Sequence, residues 1–330
     1  QAGLVRAGFA RLLGGDPAQI ALGQNTHELL TPWLSALPLV DRPRLVTTDG
    51  EFHSLRRLLD RLAEEAVAVR KVPARPIGTL AERLALEVDQ RTAAVMVSSV
   101  MYETGEIVPA LDGLATVCER EGARLLVDAY HHLNVVPFDV VSMGLAGAFV
   151  TGGGYKYCQL GEGSCFLRVP PGTRMRPVLT GWFAEFEALE NAVAGRVTYA
   201  AGAGAFAGAT YDPTSHYRAA AVFAFHAEQQ LTPDRLRAIS RHQVALLKRE
   251  FESFDLAPDV ACVEPMPDER RGGFLALRCA DAASLAARLR ERGVSTDARG
   301  DCLRLGPAPY LTDEQLRAAI HALHESLRSG

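Results

Sequence analysis

The chain has 330 residues, 48% of them hydrophobic, with a formal net charge of −4. That length suits one large domain with a smaller one beside it and leaves ample core. The mild negative charge argues against nucleic acid or an anionic membrane as partner, and no apolar run approaches the ~20 residues of a spanning helix.

The first residues, QAGLVRAGFA, lack the layout of a signal peptide, and the missing initiator Met is read as trimming or as further residues before Gln1. Strand-like apolar runs follow at 44–49, 66–72, 93–100, 124–130, 147–153 and 164–169. Between two of them, 111–122 carries Leu111, Leu114, Ala115 and Cys118 at helical spacing. Continuously hydrophobic strands separated by helices predict an α/β fold with a mostly parallel, covered sheet. Residues 186–213 are rich in Ala and Gly and have no strong period. Helical patterns cover 215–231 and 233–254, and the remainder reads strand (273–279), helix (281–292), strand (302–305), helix (312–328). The division expected is a large domain over 1–250 and a small C-terminal α+β domain over 251–330. Six cysteines, at 118, 158, 165, 262, 279 and 302, show no CxxC or CxxxH spacing. They argue against zinc or a disulfide framework and for a reduced, cytoplasmic setting.

Two strand ends carry unusual chemistry. One is LLVDAYHH, an apolar strand ending in Asp128 and followed by Tyr130, His131 and His132. The other is FVTGGGYKYCQLGEG, with three glycines before Tyr155-Lys156-Tyr157. In open α/β sheets ligands sit beyond the carboxyl ends of strands. The glycine run matches neither GxxxxGK[ST] nor GxGxxG at the head of a helix, so Schiff-base chemistry at Lys156 is the better reading. Pyridoxal phosphate (PLP) needs a lysine to form the imine and an acid to keep its ring nitrogen protonated. Asp128, one crossover and one strand before Lys156, is placed to be that acid.

In these motifs the sequence resembles the class V aminotransferase family of fold-type I PLP enzymes, and within it the kynureninase group. The resemblance runs from about residue 20 to the C-terminus and is thinner between 185 and 300. It implies the fold-type I transferase architecture with PLP as cofactor. In Asp128-Ala129-Tyr130-His131 the family pairs the Asp with the ring nitrogen and lays the His beside the ring. In Tyr155-Lys156 the Lys is the Schiff-base residue, and the Tyr touches the phosphate and relays a proton. By the same resemblance Asn25 and Thr26 hold the phosphate, Phe52 stacks on the ring, and Ser98 lies near the cofactor. Trp182 reaches the phosphate, often from the partner subunit, and Thr210 closes the site from the other chain, which implies a homodimer with shared active sites. Arg304, in CLRLGPAPYLT, is matched to the clamp for the substrate carboxylate, a task its planar fork suits.

The pattern departs from the family at four places. Leu55 replaces an Asp three residues after the stacking Phe, and Ala184-Glu185 replace Gly-His after the Trp-aromatic pair. Met101 stands where a polar residue is common, and the N-terminal segment that shapes the substrate pocket is shortened or missing. The activity implied is kynureninase-like hydrolytic Cβ–Cγ cleavage of L-kynurenine to anthranilate and L-alanine, within tryptophan degradation. The alternatives are a class V aminotransferase or C–S lyase on another amino acid, and a PLP-binding paralogue without catalysis. Cysteine desulfurases use a loop cysteine as nucleophile; Cys302, two residues before Arg304 in the same strand-like run, reads instead as core.

Overall fold

The computed structural model describes residues 1–65 and 67–328. Ala66, in the expected strand 66–72, and Ser329 and Gly330, in the expected small domain, lie outside the described residues. The chain opens with helix α1 (Ala2–Leu13), strand β1 (Ile20–Gly23) and helix α2 (Thr26–Ser35). There follow β2 (Arg44–Thr48), α3 (His53–Glu64), β3 (Ala68–Val72), α4 (Leu80–Ala85), β4 (Thr92–Ser98), α5 (Leu111–Glu121), β5 (Arg124–Asp128), β6 (Phe149–Gly153) and β7 (Cys165–Arg168). These seven strands form one sheet in the order β1-β7-β6-β5-β4-β2-β3.

Strands β3, β2, β4, β5 and β6 pair in parallel, and β7 runs antiparallel between β6 and β1. The mostly parallel, covered sheet expected from the apolar runs is therefore present. Every residue of β4 is buried, because helices cover both faces. Side chains alternate across a strand. Val95 and Val97 enter one core with Val5 and Phe9 of α1 and Leu111 and Leu114 of α5. Ala94 and Met96 enter the other, with Leu30 and Trp33 of α2 and Leu55 and Leu59 of α3. Each such Val or Met contributes about 1.5–3 kcal/mol by leaving water. Helix α5 buries Leu111, Leu114 and Cys118 and ends on Gly122 at φ 68°, the left-handed conformation glycine adopts without strain. Strand β1 and helices α1 and α2 precede the first strand expected from sequence.

Residues 182–191 and 202–206 form short 3₁₀ helices, which explains why this stretch shows no α or β period. Helices α6 (Thr214–Glu228) and α7 (Pro233–Glu252) follow. The C-terminal part adds β8 (Cys262–Val263), β9 (Leu275–Arg278), α8 (Ala282–Glu291), β10 (Asp297–Arg299), β11 (Cys302–Leu305) and α9 (Asp313–Arg328). Its four strands form a separate antiparallel sheet in the order β10-β11-β9-β8. The core against that sheet takes in Val244, Leu247 and Phe251 of α7 along with Leu285, Leu303 and Ile320. Helix α7 thus packs with the small unit from before residue 251. Among the described residues no helix is long and apolar enough to cross a membrane.

Candidate active site

The carboxyl ends of β2, β4, β5 and β6 lie side by side, and the chemistry-bearing residues follow them. Ser98 is in register with Asp128, and Asp128 with Thr151. The chain leaves β2 through Gly50 and Glu51 and starts α3 with Phe52 as its N-cap. It leaves β6 through Gly154 to reach Lys156. At Gly153 a Cβ would lie 2.5 Å from Cys165 Sγ and 2.7 Å from the Tyr130 ring. Glycine is required there so that the lysine turn and Tyr130 can close on each other.

The Lys156 ammonium stands 4.5 Å from the centre of the Tyr130 ring and 5.3 Å from that of Phe52. Burial lowers its pKa; the charge of Asp128 opposes the shift, and those of Arg304 and Arg299 add to it. The sequence has three lysines, 71, 156 and 248. Lys71 is ion-paired to Asp60 and Lys248 to Asp268, whereas Lys156 makes no ion pair among the described residues. A desolvated amine with a lowered pKa is the form that attacks a carbonyl. That arithmetic was available in the sequence and singles out Lys156 more sharply than its glycine neighbours do.

Asp128 is half-buried at the end of β5, and its Oδ1 accepts from the Tyr130 N–H at 2.8 Å. Burial raises its pKa, opposed by that hydrogen bond and by Lys156. His131 is buried, and burial, then Lys156, hold its pKa well below the usual histidine range, so it is neutral. Its Nε2 has no hydrogen-bond partner among the described residues, and its ring lies 6.4 Å from Phe52 and 6.3 Å from Phe274. His132 has a structural place: its nitrogens meet Ser99 Oγ at 3.2 Å and the Pro137 carbonyl at 3.3 Å.

Lys156 and His131 line a cavity of about 310 Å³ whose opposite wall includes Phe274, Asp297 and Arg304. Arg304 stacks 5.2 Å over Phe274. Its two terminal nitrogens donate to the Tyr102 carbonyl and to Asp297, while Nε is buried without a partner. Asp297 also pairs with Arg299 at 3.1 Å.

The other expected site residues are distributed differently. The Ser98 hydroxyl is beside Asp128 but donates to Glu51 Oε2 at 2.6 Å. Tyr155 is 56% exposed. Asn25 is exposed at the N-terminus of α2, where its Oδ1 accepts from the Glu28 N–H, and Thr26 begins that helix. Glu28 also accepts from the Gln24 N–H and Asn25 Nδ2, two donors that a phosphate would use. Trp182 and Thr210 lie in an exposed segment and hydrogen-bond each other at 3.4 Å. The substituted positions among the departures are mostly packing positions. Leu55, Met101 and Ala184 are buried, and Glu185 accepts from the Thr198 N–H. Glu51, Tyr102 and Asp297 were missed from sequence; an acid directly before Phe52 in a strand-to-helix turn was the available signal for the first.

The C-terminal region, residues 236–323, matches the kynureninase C-terminal domain family. An uncharacterized aminotransferase of Bacillus subtilis, YcbU, is 25% identical over 316 residues, covering 94% of this chain and 80% of the relative. A kynureninase of Bacillus cereus is 26% identical over 246 residues, 72% of this chain and 55% of that protein. The chain thus spans about half the length of the kynureninases it matches. Among solved structures, a complex between the cystine C-S lyase C-DES and its product cysteine persulfide superposes with a TM-score of 0.82, at 18% identity, over 98% of this chain and 85% of the other. The open sheet of this order is the fold of that neighbour, and the relatives make the chain similar to class V aminotransferase-like, fold-type I PLP enzymes.

Proposed function

We propose that this chain is a PLP-dependent enzyme acting on an amino acid, with Lys156 as the residue that holds the cofactor. The observation that carries the reading is the cavity that joins Lys156, without an ion pair among the described residues, and His131, whose Nε2 has no partner among them, to Arg304 on the facing wall. The residues present fit such a group: an ammonium over aromatic faces, a carboxyl at the neighbouring strand end and a neutral buried histidine. Bound PLP supplies an aldehyde for an amine to capture and a protonated ring that draws electrons away from the substrate Cα.

The residues then have distinct tasks. Asp128 keeps negative charge against the ring nitrogen, an ion pair that favours both charged forms. Phe52 and His131 offer aromatic faces, with Asn25, Thr26 and Trp182 proposed for the phosphate and Ser98 and Thr210 for the periphery. Lys156, once free, takes the Cα proton as general base. Arg304 binds the substrate carboxylate after exchanging Asp297 for it. Tyr155, or a water it holds, donates a proton to the leaving carbon.

The specific reaction proposed is kynureninase-like: water and L-kynurenine give anthranilate and L-alanine. It is supported by the C-terminal family match and by a kynureninase relative over 72% of the chain. A second reading, C–S lyase or aminotransferase, is supported by the fold neighbour and by YcbU. A desulfurase-type cysteine nucleophile is disfavoured, because Cys302 is fully buried in β11 and burial pushes its thiol up to about 12. Mixing the PLP-loaded protein with kynurenine tests the choice. Anthranilate fluorescence with equimolar alanine supports hydrolysis; conversion to the pyridoxamine form, or sulfide release from cystine, supports the second reading. No spectral change with any amino acid supports a binding protein without catalysis.

The chain is further proposed to act as a cytoplasmic homodimer. Trp182, Phe186, Leu189 and Val193 are all exposed, a concentration of large apolar groups that suits a partner surface. All six cysteines are free thiols, as a reducing compartment allows.

A further inference from the structure

Glu51 is a buried acid at the strand-end site to which the proposed reaction gives no task. It is 2% exposed between β2 and α3. Its Oε1 accepts from Thr48 Oγ1 at 2.7 Å and from the Ser98 N–H at 3.2 Å, and its Oε2 accepts from Ser98 Oγ at 2.6 Å. Ser98 is the register partner of Asp128 on the next strand. Paired residues on parallel neighbours project to the same face, so one serine stands between two carboxyl groups. Burial, reinforced by the charge of Asp128, pushes Glu51 up to about 7. The other groups on Glu51, Thr48 and Ser98, are neutral, and Lys156 acts in turn on Asp128. Two desolvated carboxylates at one site share a single proton at a lower cost than two charges. A proton on Glu51 Oε2 also fits the contacts: it donates to Ser98 Oγ, whose hydroxyl rotates, while Oε1 keeps both its donors.

We propose that Glu51 is a positioning residue for Asp128: it holds a proton while the site is empty, which leaves Asp128 anionic, and releases it when a cation binds against Asp128. The Glu51 O–H bond breaks, the proton passes to buffer, and no electrons change hands. The proposal rests on the reading of Asp128 as partner of the PLP ring nitrogen.

Glu51→Gln is the test variant, since its amide can donate to Ser98 Oγ in the same place and does not titrate. In the unliganded protein the acid binds a proton in the folded state between its ordinary value of 4.5 and about 7. The stability this adds is full below the lower value and lost as pH rises through the upper one. The melting temperature of the parent chain should therefore fall relative to Glu51→Gln across that window and run parallel to it above. A pH-independent difference overturns the proposal. Ser98→Ala removes a hydrogen bond that lowers the Glu51 pKa, so the same step should move to higher pH; an unmoved step also contradicts it.

The second readout is the PLP dissociation constant of each protein, measured by quenching of intrinsic fluorescence. If binding lowers the Glu51 pKa by about one unit, the ratio of the variant's constant to the parent's should rise about fivefold from about pH 6 to about pH 8. Titration of PLP itself cancels in that ratio. A flat ratio overturns proton release. If the parent chain binds no PLP at any pH, the reading of Asp128 and the release step fall together, and the melting comparison still decides who holds the proton.

Discussion

The two walls of the cavity are built and occupied in different ways. On the strand-end wall, Lys156 and His131 come from turns after parallel strands, and each keeps a nitrogen without a polar partner: the Lys156 ammonium faces two rings and His131 Nε2 is empty-handed. On the facing wall, Arg304 comes from an antiparallel sheet with its own core, and both its terminal nitrogens are already engaged by Tyr102 and Asp297. Buried polar groups are normally satisfied, so partnerless ones mark the first wall as prepared for a ligand. On the second wall Arg304 Nε is also without a partner among the described residues, but both terminal nitrogens are engaged, so the fork must exchange a partner to bind a carboxylate. On the proposed assignment the cofactor would meet a preformed surface, and the substrate would compete with an internal carboxylate.

The sharpest way to break the contrast is at Asp128. Asp128→Asn keeps the shape but removes the charge; it should lower kcat by about 10²–10⁴, since removing one partner of a buried ion pair costs about 3–5 kcal/mol. A steady-state assay with an accepted amino acid checks it, and a loss under tenfold would deny Asp128 the proposed role of partner to the ring nitrogen. On the facing wall the effects should be smaller and confined to substrate binding. Arg304→Lys loses the planar fork and should raise KM by about 30-fold with kcat nearly unchanged. Asp297→Asn frees that fork from its competitor and should lower KM, by at most about fivefold, because a half-exposed pair is worth up to about 1 kcal/mol. A rise in KM for Asp297→Asn would mean that Asp297 orients Arg304 rather than competes for it.

Legibility from sequence follows the same division. The parallel strands were readable because burial on both faces makes them continuously apolar, as in β4, and Asp128 and Lys156 were readable because they interrupt that pattern at strand ends. Strand β1 was not, since it is an antiparallel edge strand of four residues. The 3₁₀ segments around Trp182 carry no period that a helix or strand search finds. At the site, Phe52, His131 and Arg304 were named from resemblance and lie around or beside the cavity. Glu51 and Asp297 were invisible as partners because their roles come from tertiary neighbours: Ser98 is 47 residues from Glu51 in the chain, and Asp297 meets Arg304 only through the β10–β11 pairing. The α7 packing was hidden likewise. Its period marks a helix but does not say which of two cores the apolar stripe enters.

The central claim concerns Lys156, and the scarcity of lysine makes it directly measurable. The protein is incubated with PLP, reduced with borohydride to fix any lysine adduct, digested and read by mass spectrometry. The account predicts a single modified residue, Lys156, and no fixed adduct or visible absorbance band after Lys156→Ala. Adduct on Lys71 or Lys248 with Lys156 unmodified, or a band that survives Lys156→Ala, would contradict it.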